Sequence, residues 1–183
     1  DFCLSRGLGD VYKRQVYTGY SFEGNKGVIL GAEMFHTKRT GARGARVLGF
    51  GAEQVVGDNS TNSVFGKAGY QILPRGAESP VVFEFGVKAG LGEYAKSEAG
   101  KTESGSYSMS SKIQSLGVVG KGYVGVNFHF GRHNIKLAGE AGYHTCFDTS
   151  FEGKREAANS YNGNTGRLHG MDAAVTVGYS LAF

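Results

Sequence analysis

The sequence contains little proline, little cysteine and no tryptophan, and these scarcities narrow the classes of protein it can encode. Pro74 and Pro80 are its two prolines, and Cys3 and Cys146 are its two cysteines. No apolar run approaches the roughly 18 residues that a membrane-spanning helix needs. The formal net charge of +4 is too small to indicate nucleic-acid binding. We therefore expect no membrane-spanning helix and no nucleic-acid partner.

Glycine and aromatic residues are abundant instead. The 183 residues include 31 glycines, 10 tyrosines and 12 phenylalanines. Many glycines and aromatic residues with few prolines favour closely spaced, twisted antiparallel strands over helices. The length suits one domain.

The first fifteen residues, Asp1–Gln15, differ in character from the rest. They read DFCLSRGLGDVYKRQ, and the part GLGDVYKRQ resembles translated sequencing-adapter read-through. We therefore predict that residues 1–15 are not native and that the native domain comprises residues 16–183. On this interpretation the native protein is truncated at its N-terminus and Cys3 is not native. Cys146 is then alone, which leaves neither a disulfide framework nor the spacing of a metal site.

Apolar and small or polar residues alternate most clearly in the last thirteen residues, Met171–Phe183. Odd positions carry Met, Ala, Val, Val, Tyr, Leu and Phe, and even positions carry Asp, Ala, Thr, Gly, Ser and Ala. A period of two predicts a β-strand with one apolar face and one small, polar face. Seven further segments alternate in the same way: Val16–Glu23, Gly27–Met34, Ala45–Val56, Ser63–Ile72, Pro80–Leu91, Leu116–Phe130 and Ile135–Phe147. The sequence therefore predicts eight strands, most of them near the roughly 9–11 residues that cross a bilayer at a tilt.

The final strand resembles the closing strand of bacterial outer-membrane β-barrels. In that family a terminal aromatic residue, here Phe183, is read by the barrel-insertion machinery together with apolar residues at alternate positions, here Val177, Tyr179 and Leu181. The resemblance implies an all-β, up-and-down antiparallel transmembrane barrel over residues 16–183, in the outer membrane of a Gram-negative bacterium. Two types of barrel match equally well. One is a small eight-stranded barrel, and the other is the C-terminal part of a twelve-stranded autotransporter translocator.

Charged residues fall on the polar face of the predicted strands. Glu23, Glu33, Glu53, Glu84 and Glu140 share that face with Lys67, Lys88, Lys121 and Lys136. If the apolar face contacts lipid, these side chains share a lumen that is narrow enough for side chains to fill. We predict that they pair across it, because an unpaired buried charge costs several kcal/mol. The alternative is a water-soluble barrel with the two faces exchanged and an apolar ligand inside. The terminal phenylalanine and the lengths of the connections favour the membrane barrel.

The connections between the predicted strands differ in length. The closing strand ends on the periplasmic side in the resembled family, so alternate connections can be assigned to the two sides. Gly131–Asn134 and Pro74–Ser79 are then short periplasmic turns, and the polar stretches Glu93–Ser115 and Asp148–His169 are long extracellular loops. Two connections fit this assignment to the two sides less well. Glu23–Gly27 is short for an outer loop, and His36–Gly44 is long and basic for an inner turn.

Three polar side chains are candidates for a site in the lumen. His144 and Asp172 are predicted to face the upper lumen from neighbouring strands, where a hydrogen-bonded pair is the structural interpretation. With a nearby Ser or Thr, such a pair would resemble a hydrolase arrangement, but no nucleophile motif accompanies it. His129 lies on the same face as Lys121 and is interpreted in the same structural way. We expect no catalytic residue, no metal site and no cofactor.

Aromatic residues near the strand ends are candidates for girdles at the two membrane interfaces, with ordinary cross-strand packing as the alternative. They are Tyr20, Tyr70, Tyr143, Tyr179, Phe128, Phe130, Phe147 and Phe183.

These features together predict a non-enzymatic outer-membrane barrel with a structural or surface-binding role, a charged lumen and long extracellular loops. The alternatives are a translocator fragment that exports a passenger and, less favoured, a barrel enzyme. The expected partners are outer-membrane lipid, the barrel assembly machinery, an extracellular ligand and lipopolysaccharide, whose phosphates Lys154, Arg155 and Arg167 would contact. A narrow lumen crowded with Lys and Glu predicts little or no conductance.

Overall fold

The computed structural model describes residues 11–23, 26–57, 60–101, 108–155, 161–164 and 169–182 of the chain. Its strands are β1 (Val11–Glu23), β2 (Gly27–Arg39), β3 (Gly44–Gly57), β4 (Ser60–Ile72), β5 (Val81–Lys101), β6 (Ser108–Phe130), β7 (His133–Arg155), β8 (Tyr161–Asn164) and β9 (His169–Ala182). A single turn of 3₁₀ helix, Gly76–Glu78, lies between β4 and β5. Within these ranges no helix is long and apolar enough to cross a membrane.

Eight of the strands close into a barrel. From β1 to β7 each strand pairs antiparallel with the next one along the chain. Strand β9 then pairs with both β7 and β1, which completes the ring. The short β8 pairs with β7 at residues 150–153, on the edge of β7 that pairs with β9 at residues 133–145. The predicted eight-stranded, up-and-down antiparallel barrel is confirmed.

Side chains along the barrel strands alternate between an exposed face and a buried face. On β5, Val87 is 57% exposed whereas the next residue, Lys88, is 5% exposed. On β6, Val124 is 66% exposed and Tyr123 is 3% exposed. The apolar side chains therefore point outward and the polar ones inward, which reverses the usual pattern of a protein in water.

The structure corrects several predicted strand ends. Strand β2 continues to Arg39 and β3 begins at Gly44, so the connection predicted over His36–Gly44 shortens to residues 40–43. Lys38 pairs with Arg46 in the ladder between the two strands. The prediction placed the end too early because the outward positions beyond Met34 are polar, whereas the backbone ladder does not require apolar side chains.

The two predicted extracellular loops are wrong over much of their length, for the same reason. Strands β5 and β6 stay paired from Glu93 opposite Leu116 to Lys101 opposite Ser108. Strand β7 likewise continues to Arg155, beyond the predicted start of its loop at Asp148. Apolar alternation stops where these hairpins leave the apolar belt, but backbone pairing continues.

The first strand begins earlier than predicted. Residues 11–15, which we assigned to the non-native segment, pair with β2 and, from Lys13, with β9. The origin of residues 1–15 stays a prediction.

Short turns join the strands at the end of the barrel where β9 finishes. The β6–β7 turn narrows to Gly131 and Arg132, because β7 begins at His133. Gly131 has a φ of 65°, and Gly76 in the β4–β5 connection has a φ of 67°. Both glycines adopt the left-handed region that residues with a Cβ rarely occupy.

We expect a methyl group at Gly31 to destabilise the barrel. A Cβ there would lie 2.1 Å from Cζ of Tyr17, whose buried ring covers this glycine. The change Gly31→Ala should therefore lower the free energy of unfolding by about 1–3 kcal/mol, measured by urea unfolding in lipid vesicles. Gly139→Ala is the matched control, since a Cβ at Gly139 meets nothing within 4 Å. Equal stabilities of the two variants would contradict this packing.

Candidate functional site: the charged lumen

Eight charged side chains that the sequence placed on one face all lie inside the barrel. Seven are between 2% and 6% exposed: Glu33, Glu53, Lys67, Glu84, Lys88, Lys136 and Glu140. The eighth, Lys121, has 13% of its side chain exposed. Each occupies an inward position of its strand, so alternation within the closed ring is what brings them together.

Glu84 on β5 is the most heavily bonded carboxylate of the lumen. Its Oε1 lies 2.7 Å from Nζ of Lys136 and 3.1 Å from Nζ of Lys67. Its Oε2 accepts hydrogen bonds from Nε2 of Gln71 at 2.7 Å and from Nδ2 of Asn127 at 3.2 Å. Two donors on each oxygen satisfy the carboxylate that burial deprives of water.

Three more ion pairs join strands that are not neighbours in the ring. Each has 2.6 Å between its ammonium nitrogen and its carboxylate oxygen: Lys67–Glu33, Lys88–Glu140 and Lys121–Glu53. They connect β4 with β2, β5 with β7, and β6 with β3, so they reach across the lumen. The eight residues supply four positive and four negative charges. Lys13 on β1, which is 1% exposed, takes part in none of the ion pairs between described residues.

Aromatic rings separate the lysines inside the barrel. The Nζ atoms of Lys136, Lys67 and Lys88 lie 4.5, 5.0 and 5.9 Å from the ring centroid of Tyr123. Lys67 also lies 4.6 Å from the Phe35 ring. Such distances are within the range of cation–π attraction. The rings therefore partly compensate the lysines for their lost hydration.

Four aromatic residues lie inside the barrel, and three of them, Tyr17, Phe35 and Phe65, were not predicted from the sequence. Tyr17, Phe35, Phe65 and Tyr123 are all buried in the lumen. The signal was present in the alternation, because Phe35 shares the parity of Glu33, and Phe65 shares that of Lys67.

His144 and Asp172 lie beside each other at the end of the lumen opposite the short turns. Nδ1 of His144 is 2.9 Å from Oδ2 of Asp172, and both side chains are mostly buried. His129 lies half-buried on the same strand as Lys121, β6, but near the other end of the barrel. The structure does not bring His129 and Lys121 together. Within the described residues, no group of three or more His, Cys, Asp or Glu side chains could hold a metal ion.

Glu23 does not join the lumen charges, contrary to the predicted set. It is exposed at the end of β1, where the register between β1 and β9 shifts between Ser21 and Glu23. The register shift and the end of strand β1 at Glu23 release the side chain from the inward position that parity assigned to it.

The residues of the predicted insertion signal face outward on β9. Val177, Tyr179 and Leu181 are 48%, 46% and 42% exposed. Phe183 lies outside the described residues. Of the predicted girdle residues, five are exposed on the outer face: Tyr20, Tyr143, Tyr179, Phe128 and Phe130. Tyr70 is partly buried, and the side chain of Phe147 is outside the described set.

Solved structures share the fold of this chain. OprG from Pseudomonas aeruginosa superposes with a TM-score of 0.51 at 12% identity, covering 98% of each chain. A major outer membrane protein from Thermus thermophilus gives a TM-score of 0.51 at 15% identity, covering 94% of this chain and 99% of that one. This chain has the outer-membrane β-barrel fold. The N-terminal β-barrel domain of Pseudomonas aeruginosa OprF gives 0.47 at 11% identity, over 96% and 98% of the two chains.

Sequence comparisons identify no relative of this outer-membrane β-barrel. No protein-family model matches the chain, and no curated protein matches it. At identities this low the structural likeness establishes the fold alone.

We predict that Glu84 carries much of the stability of the lumen. Glu84→Gln keeps the shape but removes the charge that Lys67 and Lys136 share. The free energy of unfolding in lipid vesicles should fall by about 3–5 kcal/mol, because the buried ammonium of Lys136 loses its carboxylate partner, whereas Lys67 keeps Glu33.

The control for this prediction is Glu78→Gln, which changes an exposed carboxylate in the β4–β5 connection. It should shift the same free energy by no more than about 0.5 kcal/mol. If the Glu84 variant is as stable as the Glu78 variant, the lumen does not depend on this ion pairing.

Proposed function

We propose that this protein is a non-enzymatic barrel of the bacterial outer membrane, surrounded by lipid, with a structural or surface-binding role. The observation that carries the proposal is the reversal of the two faces. Phe50, Val64 and Val124 are 65%, 60% and 66% exposed on the outside, whereas Glu84 and Lys67 are 2% and 3% exposed inside.

Lipid explains this reversal better than water does. Large apolar side chains are exposed on every strand of the ring, from Val16 on β1 to Val177 on β9. Soluble monomers rarely expose contiguous apolar patches above a few hundred Å². Each exposed apolar Å² costs about 25 cal/mol in water and nothing comparable in a bilayer. The water-soluble barrel with an apolar ligand would need the opposite arrangement.

The connections support an orientation with the short turns in the periplasm. The turns at residues 40–43, 73–80 and 131–132 share one end of the barrel with the finish of β9. The long β5–β6 hairpin lies at the other end, where small barrels carry their extracellular segments. We therefore assign the proposed surface-binding role to the end of the barrel that carries the β5–β6 hairpin.

The proposed partners are outer-membrane lipid, the barrel assembly machinery and an extracellular ligand. Lipopolysaccharide is a further proposed partner, through Lys154, Arg155 and Arg167, whose side chains lie outside the described set. Exposure of Val177, Tyr179 and Leu181 on β9 supports recognition of this strand by the assembly machinery.

The translocator alternative is less well supported. Strand β1 pairs with β9 along ten positions, from Lys13 opposite Ala182 to Glu23 opposite Ala173. This pairing closes a ring of eight strands, whereas a translocator would place further strands between them. An enzyme would be favoured by the His144–Asp172 pair, and His144→Ala would then change lipid or peptide turnover.

A lysine introduced on the outer face tests whether lipid surrounds the barrel. Val87 lies in the middle of the exposed apolar stretch of β5 from Phe83 to Leu91, beside the ion-paired Lys88 but on the opposite face. We expect Val87→Lys to lower the free energy of unfolding in vesicles by about 2–4 kcal/mol, as charges do at the bilayer midplane. Met171→Lys, nearer the rim of β9, should cost no more than about 1 kcal/mol. A harmless Val87→Lys would indicate that water surrounds this face.

The filled lumen predicts little or no ion conductance. The ion pairs and the Tyr123 ring cross the lumen at several levels between β2 and β7. We expect planar bilayers that contain the folded protein to show no large, stable channels. Such channels would indicate a wider barrel in the membrane than the eight-stranded ring.

A further inference from the structure

Five exposed basic side chains cluster at the short-turn end of the barrel. Lys38, Arg39, Arg43 and Arg46 belong to the β2–β3 hairpin, and Arg75 belongs to the β4–β5 connection. We call these five residues the basic turn patch. Glu78 is the one acidic residue in the segments 36–48 and 72–80 that form it. The patch therefore carries a strong local positive charge.

The two connections pack against each other, so the patch is one surface. The backbone N–H of Leu73 donates to the carbonyl oxygen of Arg43 at 2.9 Å. The hydroxyl group of Thr40 donates a hydrogen bond to the hydroxyl oxygen of Tyr70, with 3.2 Å between the two oxygens. Beneath them Ala45, Leu73 and Val82 form a buried apolar cluster. This packing fixes the backbone from which the basic side chains extend around the edge of the barrel.

The direction of the side chains places part of the patch on the outer face. Lys38 and Arg46 are exposed and stand directly opposite each other in the β2–β3 ladder. The next outward residue of β3 is Leu48, which is 61% exposed. These two cations therefore lie just beyond the apolar belt, where the headgroups of a bilayer would be.

The arrangement of like charges indicates an anionic occupant. Like charges directly opposite each other on neighbouring strands destabilise a sheet. No ion pair between described residues includes any of the five cations. A phosphate between Lys38 and Arg46 would relieve their repulsion, and arginine binds phosphate through two parallel hydrogen bonds.

We propose that the basic turn patch binds the phosphate headgroups of anionic phospholipids in the membrane leaflet at this end of the barrel. The inference rests on the proposed membrane barrel and adds the class of lipid and the residues that select it. The outward direction of Lys38 and Arg46 favours a lipid over the carboxylates of the cell wall, which would lie beyond the turns.

The experiment measures lipid selectivity around the folded protein. The protein is inserted into phosphatidylcholine vesicles that contain spin-labelled phosphatidylglycerol or spin-labelled phosphatidylcholine, and the immobilised fraction of each label gives a relative association constant. One cation near an anionic surface corresponds to about a fivefold effect. We expect wild type to prefer phosphatidylglycerol about fivefold or more. High salt should reduce the preference strongly, because exposed charges are screened.

Matched variants locate the preference on the patch. Arg46→Gln should reduce the preference for phosphatidylglycerol. The triple change Arg43→Gln, Arg46→Gln and Arg75→Gln should bring the association constant of phosphatidylglycerol relative to phosphatidylcholine close to one. Lys26→Gln, an exposed lysine at the other end of the barrel, should leave it unchanged. The salt titration of wild type does not depend on how well a variant folds.

Three outcomes would overturn the proposal. Wild type that inserts but associates equally with the two lipids overturns it and leaves the membrane barrel intact. The proposal also fails if the triple variant keeps the full preference for phosphatidylglycerol. It fails as well if wild type shows no lipid selectivity and purified cell-wall sacculi bind wild type but not the triple variant. Wild type that inserts into no vesicle overturns the membrane barrel together with this inference.

Discussion

The structure depends on ion pairing inside a closed ring of eight strands. Closure buries four glutamates and five lysines of the described residues in the lumen, and all of them except Lys13 form ion pairs there, because an unpaired buried charge is costly. Glu84 meets this constraint with two donors on each carboxylate oxygen. The aromatic rings of Tyr123 and Phe35 fill the space between ammonium groups and soften their mutual repulsion. A lumen built in this way is a packed interior made of polar groups.

The charged lumen and the apolar outer face are two consequences of one alternating pattern. Neighbouring side chains of a strand point to opposite faces, so Lys88 points inward and Val87 outward, and one alternating sequence supplies both the polar interior and the apolar exterior. That exterior suits lipid, and it ends at the cations that flank the short turns. The chemistry of the ends therefore differs from that of the belt.

Much of the fold follows from the sequence, because a period of two assigns each side chain to a face without knowledge of the partner strand. Strand ends such as Arg39 and Lys101 could not be predicted in this way, since backbone pairing continues where the outer positions turn polar. The choice of Glu140 as the partner of Lys88 depends on the stagger of the strands, which alternation does not encode. The four lysines and four glutamates of the ion pairs already balance in charge without Lys13, which belongs to the segment predicted to be non-native.

The most direct test of the central claim asks which face meets lipid. The chain contains no tryptophan, so a single introduced one reports its own surroundings. Val64 and Phe65 are neighbours on β4, with 60% and 6% exposure. In vesicles of phospholipids brominated on their acyl chains, the fluorescence of Val64→Trp should be strongly quenched and that of Phe65→Trp should not. Equal quenching of the two, or stronger quenching at position 65, would contradict a barrel with its charges inside.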